Sequence, residues 1–113
     1  MRVGAGDEAQ PQAPQKVGFD RRELDQILQV YGRKVAAGEW RDYAIAFTRD
    51  AAIFAVFERA SAAPLYRIEK RPKLRARQGA YAVIAESGLV LKRGHELAQV
   101  LRVLEKKRLS LVD

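Results

Sequence analysis

The spacing of apolar positions divides the chain into two helices separated by a run of strands. Apolar residues recur at helical intervals after Asp20, which has Glu23 at the capping-box position, so the sequence predicts a first helix that ends near Gly38. From Trp40 the period changes to two or the pattern becomes continuously apolar, which is typical of strands. The predicted strands cover residues 43–47, 51–57, 65–71, 80–85 and 89–92. Helical spacing returns over residues 94–107, which predicts a last helix.

The order of these elements indicates an α+β fold. Short connections between consecutive strands favour an antiparallel meander sheet of about five strands, with the N-terminal and the C-terminal helix packed on it. Alanines at positions 44, 46, 80 and 82 predict a shallow surface on one sheet face, against which a helix or a partner molecule lies closely. If both helices share one face, we expect a second copy of the chain to complete the other.

The first residues differ from the rest in composition. Residues 1–16 consist largely of glycine, alanine, proline and glutamine with a single valine, too few apolar groups to offset the entropy cost of ordering, so we expect a disordered tail. No internal repeat or second linker follows, and we expect residues 17–113 to form a single domain. Because the apolar runs are short and no signal-peptide core is present, we expect a cytoplasmic protein that does not bind a membrane.

Basic residues concentrate between positions 67 and 77. The chain has 21 Lys and Arg against 14 Asp and Glu, a net charge of +7, and this segment alone, RIEKRPKLRAR, holds six basic residues and one acidic residue. In an extended backbone, Arg71, Lys73, Arg75 and Arg77 would point the same way about 6.6 Å apart. Such a row of cations can follow a phosphate backbone, so we expect RNA or DNA as a partner. The candidate polyanion-binding residues are Arg67, Lys70, Arg71, Lys73, Arg75, Arg77, Lys92 and Arg93.

An alternative interpretation gives the same cations a structural purpose. The predicted strand over 65–71 alternates inward Tyr66 and Ile68 with charged outward positions, which is typical of a half-exposed strand near a sheet edge. Lys, Arg and Pro at an edge prevent unwanted strand pairing, and Pro72 follows directly. On this interpretation the chain is a protein-interaction or regulatory domain, for example a homodimer, and the basic strand serves only as edge protection.

Other chemistry has less support in the sequence. A weak small-anion site is predicted at Gly94 and His95, because a helix N-terminus beside Lys92 and Arg93 offers free N–H groups and positive charge. The chain has no cysteine and one histidine, and its acidic residues lack the spacing of a metal site. No serine or threonine lies in a nucleophile motif. We therefore expect a non-enzymatic protein with no catalytic residue, no metal and no cofactor.

Three stretches carry a resemblance to a known family: FDRRELDQILQVYGRKVAAGEWRDYAI (19–45), PLYRIEKRPKLRARQGAY (64–81) and LKRGHELAQVLRVL (91–104). Together they resemble a bacterial family of small uncharacterised proteins, known as a domain of unknown function, over residues 19–112. The resemblance implies a compact cytoplasmic domain. It implies no activity, and no catalytic or binding residue is transferred from it.

Overall fold

The computed structural model describes residues 15–59 and 63–105. Within them lie two helices, five strands and one short 3-10 helix. In chain order the elements are α1 (Arg21–Ala36), β1 (Asp42–Phe47), β2 (Ala52–Phe57), β3 (Tyr66–Lys70), the 3-10 helix Pro72–Leu74, β4 (Tyr81–Ala85), β5 (Val90–Gly94) and α2 (Leu97–Glu105). The α+β class and the order of elements are confirmed.

The strands form one antiparallel sheet in which each strand pairs with its neighbour along the chain, in the order β1-β2-β3-β4-β5. The predicted meander is therefore confirmed. The central row of the sheet places Phe54 opposite Ile68 and Ile68 opposite Val83. These three side chains are almost fully buried, and they form the centre of the core together with Ile27 and Val100 from the two helices.

The first helix begins where its local sequence predicts. Asp20 is the N-cap, and the two residues of the capping box bond reciprocally: the Asp20 carboxylate accepts the Glu23 N–H and the Glu23 carboxylate accepts the Asp20 N–H, both at 2.8 Å. Phe19 and Leu24, on either side of the cap, pack against the core. The amphipathic helix thus has a defined start and buries one face.

Both helices lie on the same face of the sheet. The side chains of Ile27 and Val30 from α1 and of Leu97, Val100, Leu101 and Leu104 from α2 join the core, as predicted for the last helix. Neither described helix covers the opposite face, which carries Ala44, Ala46, Ile53, Ala55, Arg67, Glu69, Ala82, Ile84 and Arg93. A second copy on that face stays a prediction.

The position expected for the third strand is wrong. The sequence predicts that residues 65–71 lie near a sheet edge, but β3 is the central strand and Glu69 is only 4 % exposed. The alternation of charges that indicated an edge instead reflects ion pairs made inside the sheet, because Glu69 is flanked by Arg67 and Arg71. A central strand cannot protect an edge, so that part of the alternative interpretation is wrong as well.

Some predictions fall outside the described residues. The predicted tail over 1–16 does so except for its last two residues, and the predicted end of the last helix, residues 106 and 107, does so as well. Neither α1 nor α2 has the length and apolar character needed to cross a bilayer.

Candidate functional site

The basic segment does not form the extended row of cations that the sequence predicts. β3 ends at Lys70, Pro72 opens the 3-10 helix, and the chain then turns until Gly79. The N–H groups of Arg77, Gln78 and Gly79 all lie 3.0–3.1 Å from the carbonyl oxygen of Leu74. The expected geometry is wrong because Pro72 favours a tight turn and Gly79 takes a φ of 105°, so the backbone coils where alternation requires extension.

Two of the predicted cations neutralise a buried carboxylate on the sheet. Arg67, Glu69 and Arg71 are alternate residues and project from the same sheet face. The Glu69 carboxylate lies 3.4 Å from Arg67 Nε and 2.9 Å from Arg71 Nε. Because a buried carboxylate needs such partners, these arginines stabilise the fold, and their charge is in part cancelled within the chain.

Two further cations of the segment are also paired with acids. Lys70 Nζ lies 2.8 Å from the Glu23 carboxylate and 2.9 Å from the Gly18 carbonyl oxygen. Lys73 Nζ lies 3.0 Å from Asp50 Oδ1, and this hydrogen bond and charge hold the pKa of Asp50 below its usual value. Four of the eight predicted polyanion-binding residues therefore have an acidic partner in the described structure.

The remaining four predicted polyanion-binding residues do not lie on one common surface. Arg75 and Arg77 are exposed in the turn before β4 and make no ion pair with another described residue. Lys92 and Arg93 lie on the edge strand β5, where they project to opposite faces because they are successive residues. Arg93 is half-buried, and its Nη1 has no hydrogen-bond partner among the described atoms.

The predicted small-anion site is displaced from the helix end. Helix α2 begins at Leu97, so Gly94 belongs to β5, and His95 is exposed in the short connection after it. The residue directly before the helix is Glu96, whose carbonyl oxygen accepts the Val100 N–H. The expected position at the helix N-terminus is therefore wrong, and the acidic residue that stands there disfavours an anion.

Gly94 has a packing role instead. A Cβ added to Gly79 would lie 2.2 Å from both the carbonyl carbon and the carbonyl oxygen of Gly94. The two backbones approach so closely because Gly79 carries no side chain, whereas a Cβ on Gly94 would meet the Val100 side chain at 3.3 Å. This contact joins the turn of the basic segment to the end of β5.

Strand β1 forms an exposed apolar edge that the sequence reading did not single out. Among residues 15–59 and 63–105 it has a neighbouring strand on one side only, and Tyr43, Ile45 and Phe47 are 42 %, 37 % and 46 % exposed. No charged residue and no proline lies between Tyr43 and Phe47. Natural edges usually carry such residues to prevent pairing, so an unprotected edge of this kind is unusual.

The backbone of β1 also offers hydrogen-bonding groups to a partner. Thr48 N–H donates to the Ala51 carbonyl at 2.8 Å, and the register continues with Ala46 opposite Ile53 and Ala44 opposite Ala55. Bonded pairs alternate along an antiparallel ladder, so the N–H and C=O groups of Ala44 and Ala46 face β2. Those of Tyr43, Ile45 and Phe47 therefore point away from the sheet.

Helix α1 extends this apolar surface beside the edge. Phe19, just before the helix, contacts Phe47 with ring centroids 6.4 Å apart, and Tyr31 of the helix contacts Tyr43 at 5.0 Å. Leu28 and Val35 lie on the same flank of the helix as Tyr31 and are exposed. The opposite flank faces α2, because Arg33 pairs there with Glu105. We call the exposed side chains of Leu28, Val35, Tyr43, Ile45 and Phe47 the β1 surface.

The sequence contains a signal for this surface. Residues 43–47 read Tyr-Ala-Ile-Ala-Phe, an alternation that predicts a half-buried strand and gives no indication of its place in the sheet. The absence of charge and proline could have suggested an edge open to pairing. That step also requires the strand order, which the alternation does not determine.

Comparison with known proteins identifies a family for which no activity is described. A family model described as "Protein of unknown function (DUF2794)" matches residues 17–101, which confirms the resemblance to an uncharacterised family. No curated protein and no solved structure matches the chain. The function must therefore be argued from the chain's own geometry.

Proposed function

Since the chain belongs to the DUF2794 family of proteins of unknown function, we propose a function from its geometry alone. The chain is a non-enzymatic protein-interaction domain that binds an extended partner strand along β1. Such strand addition uses main-chain hydrogen bonds for affinity and the alternate side chains for specificity.

The observation that carries this proposal is the open edge of β1, which is uncharged from Tyr43 to Phe47. Tyr43, Ile45 and Phe47 combine outward backbone groups with exposed apolar side chains on the helical face of the sheet. A strand added there would satisfy the backbone groups and cover the side chains in one step. The Tyr43 N–H already donates to its neighbour's carboxylate, Asp42 Oδ1, at 2.8 Å, which supports its outward orientation.

Amide hydrogen exchange followed by NMR tests the proposal. At low protein concentration, a synthetic peptide of residues 41–48 is expected to slow the exchange of the Ile45 and Phe47 amides. The Ala44 and Ala46 amides, which face β2, serve as internal controls that change little. The same peptide carrying Ile45→Pro is the matched control, since it lacks the central N–H. Fast exchange at Ile45 and Phe47 with and without peptide would contradict the proposal.

A second, narrower candidate is polyanion binding at the turn before β4. Arg75 and Arg77 support it, because they are exposed and make no ion pair with other described residues. A site of two cations gives weak binding to RNA or DNA, and the logarithm of its affinity falls with the logarithm of the salt concentration with a slope of only about −1.4 to −1.8.

Charge reversal distinguishes this candidate. Arg75→Glu with Arg77→Glu is expected to abolish retention of a fluorescent oligonucleotide at low salt. Reversal of two exposed helical arginines, Arg22→Glu with Arg102→Glu, changes the net charge by the same amount, and this control is expected to preserve most of the retention. Equal losses in the two variants would indicate a response to net charge alone and would exclude a site at the turn.

A further inference from the structure

The β1 strand is nearly palindromic in its side chains. Reading from either end, residues 43–47 give aromatic, alanine, isoleucine, alanine, aromatic. In an antiparallel pair, a strand that reads the same in both directions can meet a copy of itself about a two-fold axis, with every position opposite a residue of its own kind. The axis of this pattern passes through Ile45.

From this symmetry we infer that the partner of β1 is the β1 strand of a second copy of the chain. This inference rests on the proposed function and specifies its partner. Ile45 lies opposite the partner's Ile45, and Tyr43 lies opposite the partner's Phe47. The two sheets join into one continuous antiparallel sheet with its two-fold axis perpendicular to the strands.

The backbone groups match in this register. The outward N–H and C=O groups belong to Tyr43, Ile45 and Phe47, and the register pairs Tyr43 with Phe47 and Ile45 with itself. All three residues therefore meet residues whose groups also point outward, and each opposite pair exchanges two hydrogen bonds once the Tyr43 N–H gives up its bond to Asp42 Oδ1 for one to the partner's Phe47. A shift by one residue would place the apolar face of one strand beside the alanine face of the other.

The position of α1 favours a second copy of the chain, rather than an isolated peptide, as the partner of β1. In this register, the side chains of the helix-bearing face in one copy lie beside those of the same face in the other copy. Both α1 helices therefore lie on the same side of the joined sheet. In each copy Tyr31 of α1 packs against Tyr43 of β1, so the exposed flank that Leu28 and Val35 share with Tyr31 lies on the side of the helix toward the axis. Two such helices meet in antiparallel and bury these side chains against each other. A peptide strand would pair with β1 and leave Leu28 and Val35 uncovered.

The sheet face opposite the two described helices is a less suitable contact for the second copy. Its centre carries the charged side chains of Arg67, Glu69 and Arg71, whereas residues 43–47 carry none. Burying charged groups against another copy requires further compensating partners, which an uncharged strand edge does not. The edge is therefore the face that a copy of the chain fits.

Sedimentation velocity and a cysteine cross-link test this inference. The wild-type chain is expected to reach a mass near twice 12.7 kDa as its concentration rises. Ile45→Lys places a charge at the axis and is expected to keep the chain monomeric with an unchanged far-UV circular dichroism spectrum. Leu89→Lys, at an exposed apolar position in the β4–β5 connection, is the matched control and is expected to dimerise like the wild type.

The cross-link reports the register directly. The chain has no cysteine, so Ile45→Cys introduces a single thiol, and the two-fold axis brings it next to the same thiol of the second copy. Directly opposite residues of a bonded pair lie about 5.5 Å apart, within disulfide range. Mild oxidation is expected to give a covalent dimer of Ile45→Cys and none of Phe47→Cys, whose thiol faces the partner's Tyr43.

The outcomes separate this inference from the proposed function. A wild-type chain that stays monomeric at every concentration, while the peptide of residues 41–48 protects the Ile45 amide, overturns the second copy and leaves strand addition standing. A dimer that persists in Ile45→Lys, or that cross-links through Phe47→Cys and not through Ile45→Cys, overturns the proposed register. A chain that stays monomeric, and whose Ile45 and Phe47 amides exchange at the same rate with and without the peptide, overturns both the second copy and the strand addition.

Discussion

Glu23 on α1 and Lys70 on the central strand form an ion pair with 2.8 Å between Oε1 and Nζ, which ties the start of the helix to the middle of the sheet. The same carboxylate accepts the Asp20 N–H at 2.8 Å and the Tyr81 hydroxyl group. Glu23 is only 7 % exposed, so its negative charge depends on these donors. One carboxylate thereby connects the helix cap, β3 and β4.

Glu23→Gln is expected to lower the free energy of unfolding by about 1–3 kcal/mol, because the amide cannot satisfy three donors at once. Urea denaturation followed by circular dichroism measures the loss. Asp25→Asn is the control on the same helix, since Asp25 is exposed and lies 4.0 Å from Arg21, and it is expected to change the stability by less than about 0.5 kcal/mol. Equal effects of the two substitutions would mean that the Glu23 cluster contributes nothing specific.

Tyr81 gives the fold a dependence on alkaline pH. Burial and, to a lesser degree, the hydrogen bond to Glu23 raise the pKa of Tyr81 from 10.0 to about 12. In this pH range the unfolded chain loses the phenolic proton first, so the contribution of Tyr81 to stability is present below pH 10.0 and disappears as the pH rises to about 12. Urea denaturation across this range is expected to show a smaller loss in Tyr81→Phe than in the wild type. Parallel loss in both chains would contradict the shifted pKa.

Substitution of Gly79 tests the close approach of its backbone to the backbone of Gly94. Gly79→Ala places a Cβ 2.2 Å from the Gly94 carbonyl group, at a φ of 105°, and we expect a loss of at least about 2 kcal/mol in unfolding free energy. Gly88 is a matched control, because its φ is 96° and an added Cβ meets nothing within 4 Å. Gly88→Ala is expected to cost about 1 kcal/mol for the backbone conformation alone. If urea denaturation gives the same loss for both, the clash with Gly94 is not significant.

Asp50 and Lys73 provide a local test of the coiled basic segment. The Lys73 ammonium group lowers the pKa of Asp50 mainly through the hydrogen bond, whereas the Arg49 charge contributes less. In Lys73→Met the pKa of Asp50 is expected to rise toward its ordinary value. An NMR titration of the side-chain carboxyl carbon measures the change, and Arg49→Met is expected to give a smaller one. An unchanged Asp50 titration in Lys73→Met would place Lys73 elsewhere.

Local features of the sequence predict the local parts of this fold well. The Asp20–Glu23 capping box and the apolar positions of α2 depend on residues a few places apart, and both predictions are confirmed. The meander is confirmed for the same reason, because its connections are short and each strand pairs with the next.

Features that depend on distant partners could not be predicted in the same way. In the sequence, the charges of β3 resemble those of an edge strand. The structure shows instead that Glu69 pairs with Arg67 and Arg71 within the sheet. The four-cation row of the candidate site fails because Lys73 meets Asp50 from another hairpin and because Pro72 begins a tight turn. The open edge of β1 follows from strand order, which no single segment of the sequence contains.

The meander has a consequence for how the chain folds. Each strand finds its partner across a short connection, so every hairpin can close with a small loss of chain entropy and without waiting for a remote segment. The β1–β2 pairing lies entirely within residues 42–57, so this hairpin can close without α2. Copies of the chain can therefore meet through β1 early in folding, so the edge that we propose for assembly of the native protein is also a site where folding intermediates would associate at high concentration.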